Sequence, residues 1–256
     1  MEMIFDSHAH YDDHAFDEDR EELLAGLSSN GVGYVMNVSS QLDEMKNSLA
    51  LADKYDFIYA SAGVHPSEVY ELQNTDIAEV EKALSHPKVM AVGEIGLDYH
   101  FDDTDKAKQE NWFEMQSDLA VRHKLPVIIH SRDAAADTLE MVKAFGLRET
   151  GGVMHCFSYE VEMARIYLDM GFYLGVGGVL TFKNARKLKE VVEYMPMDAM
   201  LLETDCPYMA PTPHRGERND STMIKYVVDE ICRIKNMSAE DVVRITEENA
   251  KRMYKI

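Results

Sequence analysis

Histidine and carboxylate side chains follow several short apolar runs of this sequence, beginning with Phe5–His10 (FDSHAH). Alternate residues of a β-strand point to the same face, so His8 and His10 could bind one ion together. The other side chains of this kind each follow an apolar run further along: His65, Glu94, His130, His155, Glu203 and Asp205. Imidazoles and carboxylates are the ligands that zinc, manganese and nickel accept in proteins. If the runs converge, the sequence predicts a metal site.

The elements that must position these side chains alternate along the whole chain. Amphipathic helical stretches separate eight predicted strands: 3–8, 34–39, 57–65, 89–96, 126–131, 152–157, 172–177 and 200–205. This order predicts an α/β fold, a (β/α)8 TIM barrel in a single domain over 1–256, with catalytic groups at the C-terminal ends of the strands. The alternative is an open doubly wound sheet, but no glycine-rich phosphate loop follows the first strand. Asp133 and Ser238 are predicted N-caps of the helices after them.

The number of predicted ligands favours two metal ions over one. Six ligands exceed the four that a tetrahedral zinc takes, and buried carboxylates are costly unless a cation neutralises them. Two ions about 3.5–4 Å apart suit phosphoester hydrolysis, because together they hold the attacking and the leaving oxygen. We therefore predict two divalent ions, with Mg²⁺, Mn²⁺, Zn²⁺ and Ni²⁺ all compatible with the ligand set.

Composition restricts the partners that the chain can have. The sequence holds 46 acidic and 26 basic residues, a net charge of −20, whereas non-specific nucleic-acid binders usually present a basic surface. An extended nucleic-acid surface is therefore not expected, and a phosphoester substrate must be bound locally. Three cysteines without CxxC spacing indicate reduced thiols, and no signal-peptide or membrane-span pattern is visible, so we predict a cytoplasmic protein without a membrane partner. The oligomeric state cannot be read from the sequence.

Seven motifs together resemble the TatD family of metal-dependent deoxyribonucleases, which belongs to the amidohydrolase-like TIM barrels. Besides the HxH pair, they are GVHP at 63–66, GEIGLDY at 93–99, VIIHSR at 127–132, MHCFS at 154–158 and LLETDCPYMAP at 201–211, followed by HRGERN at 214–219. The resemblance covers essentially the whole chain, with every motif in the expected order. It implies a deoxyribonuclease, in particular a 3′–5′ exonuclease that acts on single-stranded DNA ends.

The resemblance also implies how the ligands divide between the two ions. His8 and His10 would hold the first ion, and Glu94 would bridge to the second. Asp205 would bind the first ion and act as the base that orients or deprotonates the attacking water. The second site would be completed by His130 and His155.

Five further residues have predicted roles around the ions. His65 would contact the substrate phosphate or stabilise the transition state near the ions, the alternative being a histidine in a capped loop. Glu203 would orient a ligand or bind an ion directly. Arg132, Arg215 and Arg218 would pair with phosphates through their planar guanidinium groups, unless they are ordinary ion-pair partners on loops.

Two alternatives to a deoxyribonuclease remain open at this point. The residues alone indicate only a binuclear metal hydrolase, so another ester or amide, such as a D-aminoacyl-tRNA ester, is a conceivable substrate. A protein of a different class, a metal-binding scaffold without turnover, would also carry the histidines. The complete ligand set, with Asp205 present, argues against that last alternative.

Overall fold

The computed structural model describes residues 2–256 and contains the eight predicted strands, with boundaries moved by a few residues. The strands are β1 (Ile4–Ala9), β2 (Val32–Asn37), β3 (Ile58–Ala62), β4 (Val89–Asp98), β5 (Val127–Arg132), β6 (Gly152–Met154), β7 (Tyr173–Val176) and β8 (Met200–Leu202). The helices in this part of the chain are α1 (Arg20–Gly26), α2 (Leu42–Lys54), α3 (Ile77–Ala83), α4 (Lys106–His123), α5 (Ala135–Ala144), α6 (Leu147–Thr150), α7 (Val161–Asp169), α8 (Arg186–Tyr194), α9 (Ile224–Lys235) and α10 (Ala239–Tyr254).

The eight strands form one sheet in chain order from β1 to β8. The pairs β1–β2, β3–β4, β4–β5, β5–β6 and β7–β8 are parallel. The segment that leaves β8 returns to β1, where Ala9 and Cys206 form a parallel bridge. Helices connect the successive strands, as parallel pairing requires. The predicted (β/α)8 TIM barrel is therefore confirmed.

The strand ends differ from the prediction in a way that matters for the site. β3, β6 and β8 end before His65, His155 and Asp205, so these residues lie on the loops just beyond the strands. β4 instead runs two residues further than predicted, to Asp98. The C-terminal loops therefore carry much of the predicted chemistry, as is usual in this fold.

Contacts within the chain divide it into two compact units. One unit holds β1, β2, β7 and β8 with α1 and α7 to α10. All six residues of β1 are buried, because a parallel strand in this fold is covered on both faces. The Phe5 ring stacks on Tyr34 at 5.4 Å and on Tyr254 of α10 at 5.9 Å, which fixes β1 against its neighbours in this unit.

The other unit holds β3 to β6 with α2 to α6. Its longest helix, α4, packs on β4 and buries Trp112, Phe113 and Leu119. Two glutamines on the same helix, Gln109 and Gln116, are also almost completely buried. A single domain over the whole chain stays a prediction.

The two predicted helix caps have different outcomes. The Ser238 hydroxyl accepts the Asp241 N–H at 3.1 Å, which confirms this residue as the N-cap of α10. The prediction for Asp133 is wrong: Ala134 precedes α5, and no side chain caps the helix there. Asp133 has a φ of 54°, and its carboxylate lies 3.0 Å from His100 Nδ1 instead. In residues 2–256, no helix combines the length and hydropathy that crossing a membrane requires.

Candidate metal centre

Three ligand atoms converge where β1 ends and β8 has just ended. His8 Nε2 lies 3.1 Å from His10 Nε2, and Asp205 Oδ1 lies 3.4 Å from His10 Nε2 and 3.8 Å from His8 Nε2. Ligands at zinc bond lengths in a tetrahedral arrangement are separated by about 3.3–3.4 Å. The observed spacing therefore fits one shared ion, and the sequence prediction of this trio is consistent with the geometry.

The backbone around this trio fixes the spacing of its side chains. The Asp205 N–H donates to His8 O at 2.9 Å, and the His10 N–H donates to Cys206 O at 2.9 Å. Asp205 has a φ of 59°, a left-handed conformation that is uncommon for residues other than glycine and is maintained by these bonds. Two residues before His8, burial raises the pKa of the Asp6 carboxyl to about 7, against hydrogen bonds that lower it.

A second trio of ligand atoms comes from Glu94, His130 and His155. His130 Nδ1 lies 2.9 Å from Glu94 Oε1, and His155 Nε2 lies 3.8 Å from the same oxygen. All three ligand atoms lie within 4.8 Å of one another, and Glu94 and His155 are buried. A buried carboxylate beside two imidazoles is the environment in which a divalent ion is stabilised. This trio therefore fits a second ion.

Asp98 is a further candidate site residue, which the sequence interpretation missed. Its Oδ2 lies 3.0 Å from His130 Nε2, so the two nitrogens of His130 contact different carboxylates. Burial disfavours the imidazolium, but hydrogen bonds to Asp98 and Glu94 outweigh this effect and raise the pKa of His130. Burial likewise opposes ionisation of Asp98, yet the contact with His130 and the His100 N–H lower its pKa. Asp98 belongs to the GEIGLDY motif, but the sequence analysis predicted that β4 ends at residue 96 and so did not consider this side chain.

His65 presents its Nε2 atom toward Glu94. Its Nδ1 accepts the Ser67 N–H at 3.1 Å, so in the neutral ring the proton is on Nε2, which lies 3.8 Å from Glu94 Oε1. The ring centroid lies 4.3 Å from that of His130. His65 thus caps the 3₁₀ turn Pro66–Glu68 with one nitrogen and has an N–H donor on the other. The contact at Nδ1 agrees with the loop alternative for this residue, and the contact of His65 with a substrate phosphate stays a prediction.

Two buried glutamines of α4 hold the segments next to these groups. The Gln116 side chain accepts the Val64 N–H at 2.7 Å and donates to Val64 O at 3.1 Å. Gln109 does the same for the Asp98 peptide, at 2.9 and 3.0 Å. Both side chains replace a missing strand partner for a buried peptide, whose polar groups would otherwise be left without hydrogen bonds. The sequence analysis did not predict a role for either glutamine.

Glu203 is buried, and its carboxylate accepts a hydrogen bond from a backbone N–H group. Its Oε1 accepts the Cys156 N–H at 2.7 Å, directly after His155 in the chain. A Cβ atom on Gly175 would lie 2.1 Å from Glu203 Oε2, so the glycine makes room for this carboxylate. These contacts favour the orienting role of Glu203 over direct ligation.

The three arginines predicted to bind phosphates have different environments. Arg132 ends β5 and is exposed, and Arg215 is exposed with its guanidinium 4.0 Å from the centre of the Phe182 ring. Arg218 forms a two-pronged ion pair with Asp19, at 2.7 and 2.5 Å, and also donates to Ala15 O at 2.7 Å. Its donors are therefore already engaged within the protein, as the loop ion-pair alternative expected.

Comparison with known proteins gives consistent similarities over nearly the full length. The family described as TatD related DNase matches residues 5–255. The chain is 42% identical to the uncharacterized metal-dependent hydrolase YabD of Bacillus subtilis, covering 99% of this chain and 100% of that protein. It is 33% identical to YcfH of Escherichia coli, another uncharacterized metal-dependent hydrolase, covering 99% and 96%. The crystal structure of YjjV, a TatD homologue from Escherichia coli, superposes with a TM-score of 0.94 at 31% identity, covering 99% and 98%.

Proposed function

Since the chain belongs to the TatD-related DNase family and is a metal-dependent hydrolase, we propose that its substrate is DNA. The proposed reaction is hydrolysis of phosphodiester bonds, and the proposed mode is 3′–5′ exonuclease action on single-stranded ends. The family description and the motif set support DNA as the substrate. We further propose a cytoplasmic location, supported by the small number of cysteines and their lack of CxxC spacing.

The observation that carries the proposal is the convergence of histidine and carboxylate atoms in two trios. His8, His10 and Asp205 would hold one ion, at ligand spacings of 3.1–3.8 Å. The second ion would be held by Glu94, His130 and His155. Bound divalent ions supply Lewis acidity, which stabilises charge on phosphoryl oxygens and lowers the pKa of water to about 7. That Glu94 also bridges to the first ion, and which of Mg²⁺, Mn²⁺, Zn²⁺ or Ni²⁺ is resident, stay predictions.

The remaining polar side chains have separable tasks in this reaction. Asp205 would orient the attacking water and take its proton, since its side chain is 16% exposed and can be reached by solvent. His65 would donate its Nε2–H to a phosphoryl oxygen, because its Nδ1 is already occupied by the Ser67 N–H. Asp98 would keep the His130 ring in place through its contact with Nε2.

Substrate binding is proposed to be local, through a few side chains rather than a basic surface. Arg132 and Arg215 are the proposed phosphate contacts, and we propose a structural role for Arg218, because its terminal nitrogens donate to Asp19 and Ala15. A cavity of about 160 Å³ is lined in part by Ser67 and Asp98, which contact His65 and His130. Two further lining residues, Tyr70 and Phe101, are exposed aromatic side chains. Nucleobases stack on such rings without sequence preference. We propose that this cavity receives a base of the bound strand.

The test is a cleavage assay with defined oligonucleotides. Purified protein is given single-stranded, duplex and 3′-blocked DNA with Mg²⁺ or Mn²⁺, and parallel reactions contain EDTA or the His130→Ala variant. We expect metal-dependent shortening from the 3′ end of free single strands. Absence of cleavage above the His130→Ala background would rule out the nuclease. Equal cutting of circular and linear single strands would exclude the exonuclease mode and leave nuclease activity intact.

A further inference from the structure

The carboxylate of Asp6 is completely buried in the middle of β1 and has no place in the proposed reaction. Its Oδ2 accepts the hydroxyls of Thr204 at 2.7 Å and Ser221 at 2.6 Å. Its Oδ1 accepts the backbone N–H groups of Thr204 at 3.0 Å and His8 at 3.3 Å. Four donors on one carboxylate satisfy it fully, which makes burial of the group tolerable.

The donors belong to two segments that carry proposed metal ligands and substrate contacts. Thr204 immediately precedes Asp205, and His8 is itself a proposed ligand. Thr204 and Ser221 stand at the two ends of the loop that follows β8, so one carboxylate holds both ends of it. Asn219 adds to this anchoring by donating to Thr204 O at 2.9 Å.

We infer that Asp6 is a positioning residue, which fixes His8 and Asp205 at the separation that one metal ion requires. The inference rests on the proposed function only in taking His8 and Asp205 as ligands. The ligand atoms of the trio lie 3.1–3.8 Å apart, and a shift of the Thr204 peptide would move Asp205 relative to His8. Groups that orient metal ligands typically change metal affinity by about 10–100-fold when removed.

The test measures Zn²⁺ affinity by competition with a chelator, which needs no nuclease activity. Asp6→Ala removes both acceptor oxygens and so all four hydrogen bonds, and we expect the affinity for one of the two Zn²⁺ ions to fall about 10–100-fold. Asp6→Asn retains the shape and one acceptor oxygen, so it should recover part of the affinity. Thr204→Val removes a single hydroxyl beside Asp205 and should give a smaller loss. It also provides the test if Asp6→Ala does not fold.

A matched control separates positioning from general stability. Asn249 is completely buried in the same unit and donates to Met197 O at 2.7 Å and Met200 O at 2.9 Å, at the other end of β8. Asn249→Ala should lower the melting temperature of the EDTA-treated protein, as Asp6→Ala does, while Zn²⁺ affinity stays within about twofold of the unmodified protein. Unchanged Zn²⁺ affinity in folded Asp6→Ala, or an equal loss in Asn249→Ala, would overturn the inference. A protein that binds Zn²⁺ as expected but cuts no DNA would contradict only the proposed function.

Discussion

His130 Nε2 and Asp98 Oδ2 lie 3.0 Å apart, on the side of the imidazole ring away from Glu94. A histidine that binds a metal through one nitrogen commonly donates its other N–H to a carboxylate, which fixes the ring orientation and the tautomer. Asp98 stands in that position because β4 extends to it and Gln109 binds its peptide. The pair is therefore arranged for metal binding by Nδ1.

Asp98→Asn should leave the fold intact and weaken the second metal site. We expect kcat for oligonucleotide cleavage and the affinity for one Mn²⁺ ion each to fall about 10–100-fold, because the amide is a poorer partner for the His130 N–H. Metal titration and steady-state kinetics check this. The matched control is Asp102→Asn, an exposed carboxylate on the loop that follows β4. A wild-type Mn²⁺ affinity in Asp98→Asn would show that the contact is incidental.

The two ligand trios should lose their ions separately. Protein loaded with Mn²⁺ and then desalted should retain two ions per chain, and His10→Ala and His155→Ala should each retain about one. Elemental analysis of the three proteins gives the answer directly. A single ion in the unmodified chain, or complete loss in both variants, would contradict two separate binding sites.

Lys88→Met should destabilise the protein without changing its catalytic activity. The Lys88 ammonium donates to Ala52 O at 2.7 Å and Tyr55 O at 2.8 Å, where α2 ends and its carbonyls lack helical partners. We expect the free energy of unfolding in urea to fall by about 1.5–3 kcal/mol, with kcat and KM unchanged. Lys82→Met is the control, because Lys82 is exposed and lies 3.6 Å from Glu79. Equal stability losses in both variants would argue against this capping role.

Phe101→Ala should weaken binding of DNA bases. Phe101 is 61% exposed beside the cavity near His65, and stacking on a base is worth about 1–3 kcal/mol. KM for a single-stranded oligonucleotide should therefore rise about fivefold or more, while KM for an abasic strand of equal length should not change. Val121→Ala, another exposed apolar residue, should behave like the unmodified protein with both strands. The same rise for the abasic strand would exclude a base contact.

Arg215 and Arg218 should separate into a substrate contact and a structural residue. Arg215→Ala should raise KM for oligonucleotides more than for a small phosphodiester, because its guanidinium is exposed on Phe182. Arg218→Ala should lower the melting temperature and change KM less, since it breaks the pair with Asp19. Thermal denaturation and steady-state kinetics of both variants distinguish the substrate contact from the structural residue. Equal KM effects in the two variants would refute the division.

The fold could be predicted from the sequence because the alternation of apolar strands and amphipathic helices is a local signal repeated eight times. The ligand trios could be anticipated for a related reason. His8, Glu94 and Asp205 each follow a buried apolar run, and parallel strands bring such ends to one edge of a sheet. The strand boundaries were less predictable, because a strand ends where pairing with its neighbour ends and not where its own β-strand propensity falls.

What the sequence did not show are contacts between distant residues. Asp98 looked like part of a loop, and nothing local pairs it with His130. Gln109 and Gln116 read as ordinary polar positions of a helix, although the structure buries them against peptides of another element. Arg218 could not be separated from Arg215 until Asp19, nearly two hundred residues earlier, was placed beside it. Such partners are fixed by tertiary packing, which no local pattern records.

The two glutamines of α4 fix the distance between the two segments that they bind, at Val64 and at Asp98. Gln109 and Gln116 are seven residues apart, about 10.5 Å of helical rise, and each binds one peptide next to a proposed site residue. Because a helix is stiff along its axis, the peptides of Val64 and Asp98 cannot drift apart independently. A sideways shift of α4 would instead move the Val64 and Asp98 segments together. Mutations on the outer face of this helix can therefore alter the geometry at His65 and His130 without contacting either residue.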